Sequence, residues 1–369
     1  MFFLYFVLIA VYIVGIIKNY KIFTRNQPAN VLTFCTLLLL FFLLCGSNTA
    51  SLDWEDTGLD MSGYKMIYER YDALEHPDFK MYYIFYSCMH IGQHFGIPFR
   101  MWWQIMTFLA LSVIIIACRI HKYSINFFMA SFMSYHIFMF YSGFKFFYGF
   151  CFALLAFGFL LNNSKKGRLL FALFTCIAGG FHMMYYFFLI LLIKPSKRPE
   201  IFVKTIISIT VVFTILMRIS GSATAFLGPF FNVLDNDHIN GYTAVNVNLG
   251  FYIPIIIHVT MVYLAYKARL YCIRKGTLTS AMETLYYSSI LSLIFCPFYA
   301  VALTFMRLIT AFSLVVITSM SAILKDSVES RSLCQRMSLI MASTFLFMKF
   351  ISGAMGFINS SVIPFFNVL

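Results

Sequence analysis

The chain has little charge for its length. Only 11% of its 369 residues are charged, whereas 61% are hydrophobic and 19% are aromatic. Charged residues make up about a quarter of an ordinary soluble domain, so the composition excludes that class. The sequence also lacks a phosphate-binding glycine loop and a Ser/His/Asp arrangement for acyl transfer. Its nine cysteines include no CxxC pair, which argues against a disulfide framework or a cysteine-bound metal.

Apolar runs of membrane length recur from end to end of the sequence. Since about twenty apolar residues cross a bilayer core, the pattern predicts one all-α, polytopic membrane domain over residues 1–369 with 11–12 passes. The predicted passes are 1–17, 30–46, 99–118, 124–141, 145–161, 169–193, 201–217, 250–266, 281–297, 300–324 and 337–358. The first is interpreted as a retained helix, because no basic region precedes it and no small-residue cleavage site follows it.

The positions of charged residues predict the orientation of the chain. Of its 27 Lys and Arg residues, 19 lie in short loops between passes, which is typical of the cytoplasmic side. Eight of its 14 acidic residues lie between Asp53 and Asp78. We therefore predict an outer loop with interfacial helices over 47–98 and a second outer loop over 218–249. The net charge of +13 is then explained by cytoplasmic loops, with no nucleic-acid partner.

Segment 169–193 has basic loops at both ends, so the charge rule requires it to cross the membrane an even number of times. It is too short for two full spans. Gly179-Gly180 stands at its middle, where glycine permits a sharp reversal. The sequence therefore predicts a re-entrant or broken helix pair with Phe181-His182 at the bend. Irregular backbone at membrane depth is tolerated only inside protein or beside water, which places His182 in a cavity. A single slanted helix is the alternative.

Eight basic residues lie outside the cytoplasmic loops, and two of them, Lys145 and Arg307, lie at the outer ends of apolar helices. Charge at membrane depth is costly and marks a functional site by default, so Lys145 and Arg307 are candidate site residues. Arginine binds phosphate through two hydrogen bonds, and lysine acts as a point charge. The pair therefore predicts an anion site beneath the outer leaflet that suits a lipid-linked diphosphate.

The first outer loop contains a spacing typical of a sugar site. Asp60, Tyr64 and Tyr68 are four residues apart, so on a helix they share one face, where a carboxylate and two rings can hold sugar hydroxyls. An ordinary interfacial helix is the alternative. His90 and His94 are also one turn apart, but no third zinc ligand is nearby. Asp235-x-Asp237 is interpreted as a solvated turn, and no metal or cofactor is expected.

An ordered set of short motifs resembles the EpsG family, which is similar to the Wzy-type polymerases of bacterial surface polysaccharides. The motifs are "TGLDMSGYKMIYE", "FYSGFKFFYGFCFALLAFGFLLNNSKKGR", "LLFALFTCIAGGFHMMYYFFLILLI" and "LTFMRLITAFSLVVI". Gly143-Phe144-Lys145 stands where the family carries Gln-x-Arg. The resemblance implies a GT-C-like helical fold in the bacterial cytoplasmic membrane, with its active site facing outward.

The activity implied by the resemblance is glycosyl transfer from a polyprenyl diphosphate-linked glycan to the next lipid-linked repeat unit. Membrane lipids and other polysaccharide-assembly proteins are the remaining expected partners. Lys145 and Arg307 would stabilise the diphosphate leaving group, with Arg70 and Arg100 as helpers. His182 is expected to be the general base, since its ordinary pKa lies near neutrality, and Asp60 is second in line.

Two other functions remain open at this point. A glycosyltransferase that uses a polyprenyl-phosphate monosaccharide would need a catalytic carboxylate in the first outer loop, at Asp60 or Asp56. A flippase for lipid-linked oligosaccharides would alternate its access and often shows two similar halves, which this sequence does not.

Overall fold

The computed structural model describes residues 60–132, 143–195, 198–219, 252–300 and 305–324. These residues form helices and no strand, and five of the helices are long and apolar enough to cross a membrane, which confirms a polytopic helical membrane protein. The α-helices are α1 (Asp60–Arg70), α2 (Tyr83–His94), α3 (Phe99–Ile120), α4 (Ile125–Ser131), α5 (Phe144–Leu161), α6 (Lys165–Phe181), α7 (Pro199–Ile219), α8 (Tyr252–Arg274), α9 (Ser280–Leu291), α10 (Cys296–Tyr299) and α11 (Met306–Ile323). Four 3-10 helices accompany them, at Ala73–Glu75, Pro77–Met81, Met183–Leu192 and Ser292–Phe295. The predicted passes 1–17, 30–46 and 337–358, and most of loop 218–249, lie outside the described residues.

Helix α5 lies at the centre of the described fold. Its sequence is apolar on every side, and a helix of that kind is stable only when it is surrounded. Helix α6 packs along most of the length of α5, and α3, α9 and α11 cover the remaining surface of α5. The turn between α5 and α6 is tight, with Asn163 in the left-handed region at φ 47°, and the Ser164 hydroxyl caps α6 by accepting from the Gly167 amide at 2.9 Å.

One glycine permits the close approach of α5 and α6. A Cβ atom on Gly149 would lie 2.5 Å from the Tyr185 ring and 2.8 Å from the Ala178 carbonyl oxygen. The Tyr185 hydroxyl donates to the Phe146 carbonyl at 2.8 Å, so the ring is held flat against this part of α5. Gly149 therefore fixes the distance between α5 and the segment that follows α6.

The predicted break in segment 169–193 is confirmed at Phe181–His182. Helix α6 ends at Phe181, His182 is extended, and a 3-10 helix follows over Met183–Leu192. The Arg168 guanidinium, in the first turn of α6, donates to the Leu192 carbonyl at 3.2 Å. The chain thus returns to the level from which it left, as the charge rule requires. The role predicted for Gly179-Gly180 is wrong, because both residues stay inside α6 and serve close packing against Tyr186 and Ile84.

Two later passes differ from their predicted bounds. The pass predicted at 250–266 continues as α8 to Arg274, because its basic end forms a further stretch of helix that pairs with α9. That pairing is an ion pair between Arg269 and Glu283 at 2.8 Å. The pass predicted at 281–297 is interrupted after Leu291 by the 3-10 helix Ser292–Phe295 and the short α10.

We predict that Gly149→Ala destabilises the protein. The added methyl group must displace the Tyr185 ring or part the two helices, which costs about 1–3 kcal/mol in a well-packed interior. The thermal unfolding midpoint of the detergent-solubilised protein should fall. Leu173→Ala, at an exposed position of α6, is the control and should leave the midpoint nearly unchanged. An unchanged midpoint for Gly149→Ala would contradict this account of the packing.

Candidate active site

The two helices of the first predicted outer loop are joined into one rigid layer by a glutamine. The Gln93 side-chain amide, on α2, donates to the Tyr68 and Tyr71 carbonyls at 2.7 and 2.6 Å, and its oxygen accepts from the Ala73 amide at 3.2 Å. One side chain therefore satisfies three backbone groups, one in the last turn of α1 and two just after it. The layer packs on α3 and α6, where Gly180 leaves room for Ile84 of α2.

Lys145 lies in a cage of aromatic rings contributed by this layer. It stands in the first turn of α5, and its Nζ lies 3.9 Å from the ring centroid of Tyr82 and 5.1, 5.4 and 5.8 Å from those of Tyr64, Tyr86 and Phe85. The faces of aromatic rings attract cations, most strongly where water is scarce. The ammonium group is therefore held as a charge at a fixed point between α1, α2 and α5.

His182 lies beside the same cage. Its ring is 5.4 Å from that of Tyr82 and 5.2 Å from that of Phe146, and the side chain is buried. Its Nδ1 accepts a 3.4 Å hydrogen bond from the Met184 amide and so caps the 3-10 helix. Because a backbone N–H can only donate, a neutral imidazole with this bond carries its proton on Nε2. Within the described residues, Nε2 itself makes no hydrogen bond.

Arg307 completes a cationic group around His182. It is half-buried in the first turn of α11, and its charge acts on both His182 and Tyr185. The charge of Lys145 reaches His182 as well. The structure thus brings together three of the predicted site residues from three separate parts of the chain. Two cations near one imidazole form a site suited to an anion.

The predicted sugar-binding face on α1 is partly used by the protein itself. Helix α1 begins at Asp60, whose side chain lies outside the described part, and Tyr64 packs in the Lys145 cage. Tyr68 is buried between Phe99 and Trp102, and its hydroxyl donates to the Ile97 carbonyl at 2.8 Å. Burial raises the pKa of Tyr68 to about 12, so this donor stays protonated at neutral pH. The Tyr68 oxygen can still accept a hydrogen bond.

An open depression lies at the other end of α1. It has a volume of about 490 Å³ and is lined by Tyr68, Glu69, Arg70, Tyr71, Gln93, Gly96, Ile97, Pro98 and Phe99. Tyr71 exposes 58% of its surface there, beside the charged ends of Glu69 and Arg70. Arg100 is exposed on the neighbouring first turn of α3. The two arginines therefore lie near the depression, and no contact with the Lys145 cage is found for either within the described residues.

The His90 and His94 pair lies on the exposed side of α2. The ring centroids are 6.4 Å apart, and His90 Nδ1 contacts an Asp72 carboxylate oxygen at 2.9 Å. The Leu74 amide and the His90 ring hold the pKa of Asp72 below its ordinary value. Within the described residues, no three His, Cys, Asp or Glu side chains form a group that could hold a metal ion.

Tyr82 and Tyr86 line the Lys145 cage but are not among the site residues predicted from the sequence. They lie one turn apart, at the start of a segment whose aromatic character is visible in the sequence, and both face Lys145. The spacing of four is a signal that could have found them. What the sequence does not contain is the approach of that segment to α5, because this contact joins residues about sixty positions apart.

The fold and the cluster define a multi-pass helical membrane protein with a cationic, aromatic-lined site. The chain matches the EpsG family model over residues 37–367 and belongs to that family. The known type of protein in this family is a Wzy-like polymerase. No curated protein and no solved structure matches the chain. The GT-C-like arrangement therefore stays a prediction.

We predict that Tyr82 and Lys145 are coupled energetically. Tyr82→Leu and Lys145→Met should each remove the same cation–ring contact, so a double-mutant cycle should give a coupling of about 0.5–2 kcal/mol. The measurement is reversible unfolding in mixed detergent micelles. Tyr82→Phe, which keeps the ring, is the control and should retain most of the coupling. Additive effects of the two substitutions would show that the contact contributes no stability.

Proposed function

We propose that this protein polymerises lipid-linked oligosaccharide repeat units. It would transfer a growing glycan from polyprenyl diphosphate to a hydroxyl of the next lipid-linked unit. The observation that carries the proposal is that the charges of Lys145 and Arg307 both act on His182, while Lys145 also faces the Tyr64 ring of the helix that begins with Asp60. Membership of the EpsG family supports the same activity.

The cationic group suits the leaving side of the reaction. As the bond between the anomeric carbon and the diphosphate oxygen breaks, negative charge grows on the diphosphate. Lys145 and Arg307 would stabilise that charge from fixed positions, which is the largest catalytic contribution in many enzymes. The aromatic cage favours this use, because it holds the Lys145 ammonium at one point before substrate arrives.

His182 takes a different role from the one expected of it. With Nδ1 accepting from the Met184 amide, the Nε2 atom carries the proton and is a donor. We therefore assign Nε2–H to a hydrogen bond with a diphosphate oxygen. The general base is then Asp60, whose carboxylate would take the proton of the acceptor hydroxyl as that oxygen forms its bond to the anomeric carbon.

Helix α1 suits the acceptor side of the same reaction. Asp60 and Tyr64 are one turn apart at its start, and Arg70 and Tyr71 follow at its end beside the open depression. The helix has 11 residues and is about 17 Å long. A saccharide extending along it would reach the depression, where the exposed Tyr71 ring offers a stacking surface and Glu69 and Arg70 offer hydrogen bonds. Arg100, nearby on α3, can assist with charged sugars.

The proposed setting is the outer face of the bacterial cytoplasmic membrane. The positive-inside distribution of 19 basic residues supports that orientation, since the first predicted outer loop, which contains α1 and α2, has eight of the 14 acidic residues. A strain without the gene should accumulate single lipid-linked repeats on the outer side. Accumulation on the inner side would indicate a flippase instead.

We predict that His182→Ala lowers glycosyl transfer about 100- to 1000-fold, the usual effect of removing one donor to a developing oxyanion. His182→Gln keeps an N–H donor and should retain part of the activity. The assay is the size profile of surface glycan, together with transfer between purified lipid-linked repeats, at equal amounts of membrane-inserted protein.

Two outcomes would contradict this assignment. Normal long-chain polymer from His182→Ala would remove His182 from the mechanism. Equal inactivity of His182→Gln and His182→Ala would favour a general base over a donor, since glutamine cannot take a proton. The Phe95→Ala variant alters an exposed ring outside the cluster and should behave as wild type.

We predict that Tyr71→Ala shortens the polymer without preventing the first transfer. The stacking surface in the depression would hold the extended saccharide, so its loss should speed release of longer chains. Glycan length should be measured by gel profiling, and the first transfer by a single-turnover assay. Phe95→Ala removes a ring of similar exposure beside the depression and is the matched control. Unchanged length for Tyr71→Ala would exclude the depression as a saccharide site.

A further inference from the structure

A buried histidine within a membrane-crossing helix is used by no step of the proposed reaction. His258 lies on α8 and is fully buried. Its Nδ1 is 2.9 Å from the Tyr299 hydroxyl oxygen, and its Nε2 is 2.7 Å from the Ser292 hydroxyl oxygen. An ionisable side chain at such depth is costly unless it is paired, and here both ring nitrogens have partners.

The direction of each hydrogen bond in this network follows from the bond that the Ser292 hydroxyl makes to the backbone. The Ser292 hydroxyl donates to the Ser289 carbonyl at 2.7 Å, so its only proton is engaged and its oxygen must accept from His258. Nε2 therefore carries the proton of a neutral ring, and Nδ1 accepts from the Tyr299 hydroxyl. Every polar group of the network is satisfied with a single tautomer.

The two partners of His258 stand at the two ends of an interruption in the helix. Ser292 is the first residue of the 3-10 helix after α9, and Tyr299 is the last residue of α10. Between them, Pro297 removes a backbone donor, so the interruption lacks part of the regular hydrogen bonding that stiffens a helix. The imidazole spans the interruption and holds its two ends at a fixed separation.

Aromatic packing connects this interruption to the candidate active site. Phe187, in the 3-10 helix that follows His182, lies 6.3 Å from Phe295, 5.1 Å from Phe298 and 6.2 Å from Phe305 between ring centroids. Phe298 also packs on Phe305 at 5.3 Å, and Phe305 is two residues before Arg307. A shift of the interruption would therefore move both the segment after His182 and the start of the helix that carries Arg307.

We infer that His258 is a positioning residue for the active site, acting through Ser292 and Tyr299 on the placement of Arg307 and His182. The inference rests on the proposed function for its effect on activity. The geometry of the interruption can be tested separately, because Cys296 lies inside it and is buried. Its alkylation reports opening of this segment whether or not the protein makes polymer.

The experiment uses a full-length variant in which Cys296 is the sole cysteine, first checked for polymer against the wild type. His258→Leu is compared with His258→Gln, whose amide can still donate toward Ser292. The rate of Cys296 labelling by N-ethylmaleimide in membranes follows the population of locally opened molecules. Loss of the network should raise this rate on the order of tenfold, the factor equivalent to about 1.4 kcal/mol. His94→Leu, at an exposed histidine outside the network, is the control.

The expected result is faster labelling and reduced transfer in His258→Leu, with both restored in part in His258→Gln and unchanged in His94→Leu. Unchanged labelling in His258→Leu would overturn the inference. So would faster labelling with normal transfer, because Arg307 would then be placed independently of the interruption. Reduced transfer without faster labelling would show a chemical role for His258 instead. If the parent variant and the wild type make no polymer, the proposed function fails, while the labelling rates still decide whether His258 holds the interruption closed.

Discussion

The candidate active site and the helices around it depend on stabilising positive charge at a depth where water is scarce. A bare ammonium or guanidinium group there is expensive, and each must be compensated by something other than bulk solvent. For Lys145 the compensation is the set of ring faces from Tyr64, Tyr82, Phe85 and Tyr86. That requirement explains why the loop before α3 folds into a layer of helices, since only a fixed layer can keep four rings around one nitrogen atom.

The same layer gives the two substrates of the proposed reaction different surroundings. Toward α5 it presents aromatic faces and lies next to a cationic group, which suits an anionic leaving group. Toward the end of α1 it presents mixed charge and an exposed ring in an open depression, which suits a sugar chain. Because Gln93 joins the backbone at the end of α1 to α2, these two surroundings keep a constant relation to each other.

Much of the fold could be predicted because its causes are local in the sequence. The length of the apolar runs predicted α3, α5, α7 and α11. The basic loops on both sides of segment 169–193 predicted the break at His182. The reversal predicted at Gly179-Gly180 was wrong, because glycine permits close packing as well as turns. Only the packed structure distinguishes these two uses. The pass that became α8 was predicted, but its continuation to Arg274 was not, because membrane length does not indicate how far a helix continues beyond the bilayer.

The polar residues of the candidate site could be predicted from the sequence, but their contacts with one another and with the rest of the fold could not. Lys145, His182 and Arg307 each stood out by being polar where apolar residues were expected. Tyr82 did not, because its importance lies in a contact with Lys145, which is distant in sequence. His258 is polar within a predicted pass, but its contacts with Tyr299 and Ser292 could not be inferred from the sequence. The role proposed for His182 also depends on a single backbone donor, the Met184 amide, which no sequence pattern indicates.

The 3-10 helix after His182 explains how a short segment can return to the level at which α6 begins. Helix α6 has 17 residues and rises about 26 Å at 1.5 Å per residue. The following ten residues would recover only about 15 Å as an α-helix, but the 3-10 form climbs about 2.0 Å per residue and recovers about 20 Å. The tighter winding thus lengthens the shorter arm of the hairpin. An insertion in that arm would lower its end past Arg168, whereas the same insertion in an exposed loop would cost the fold little.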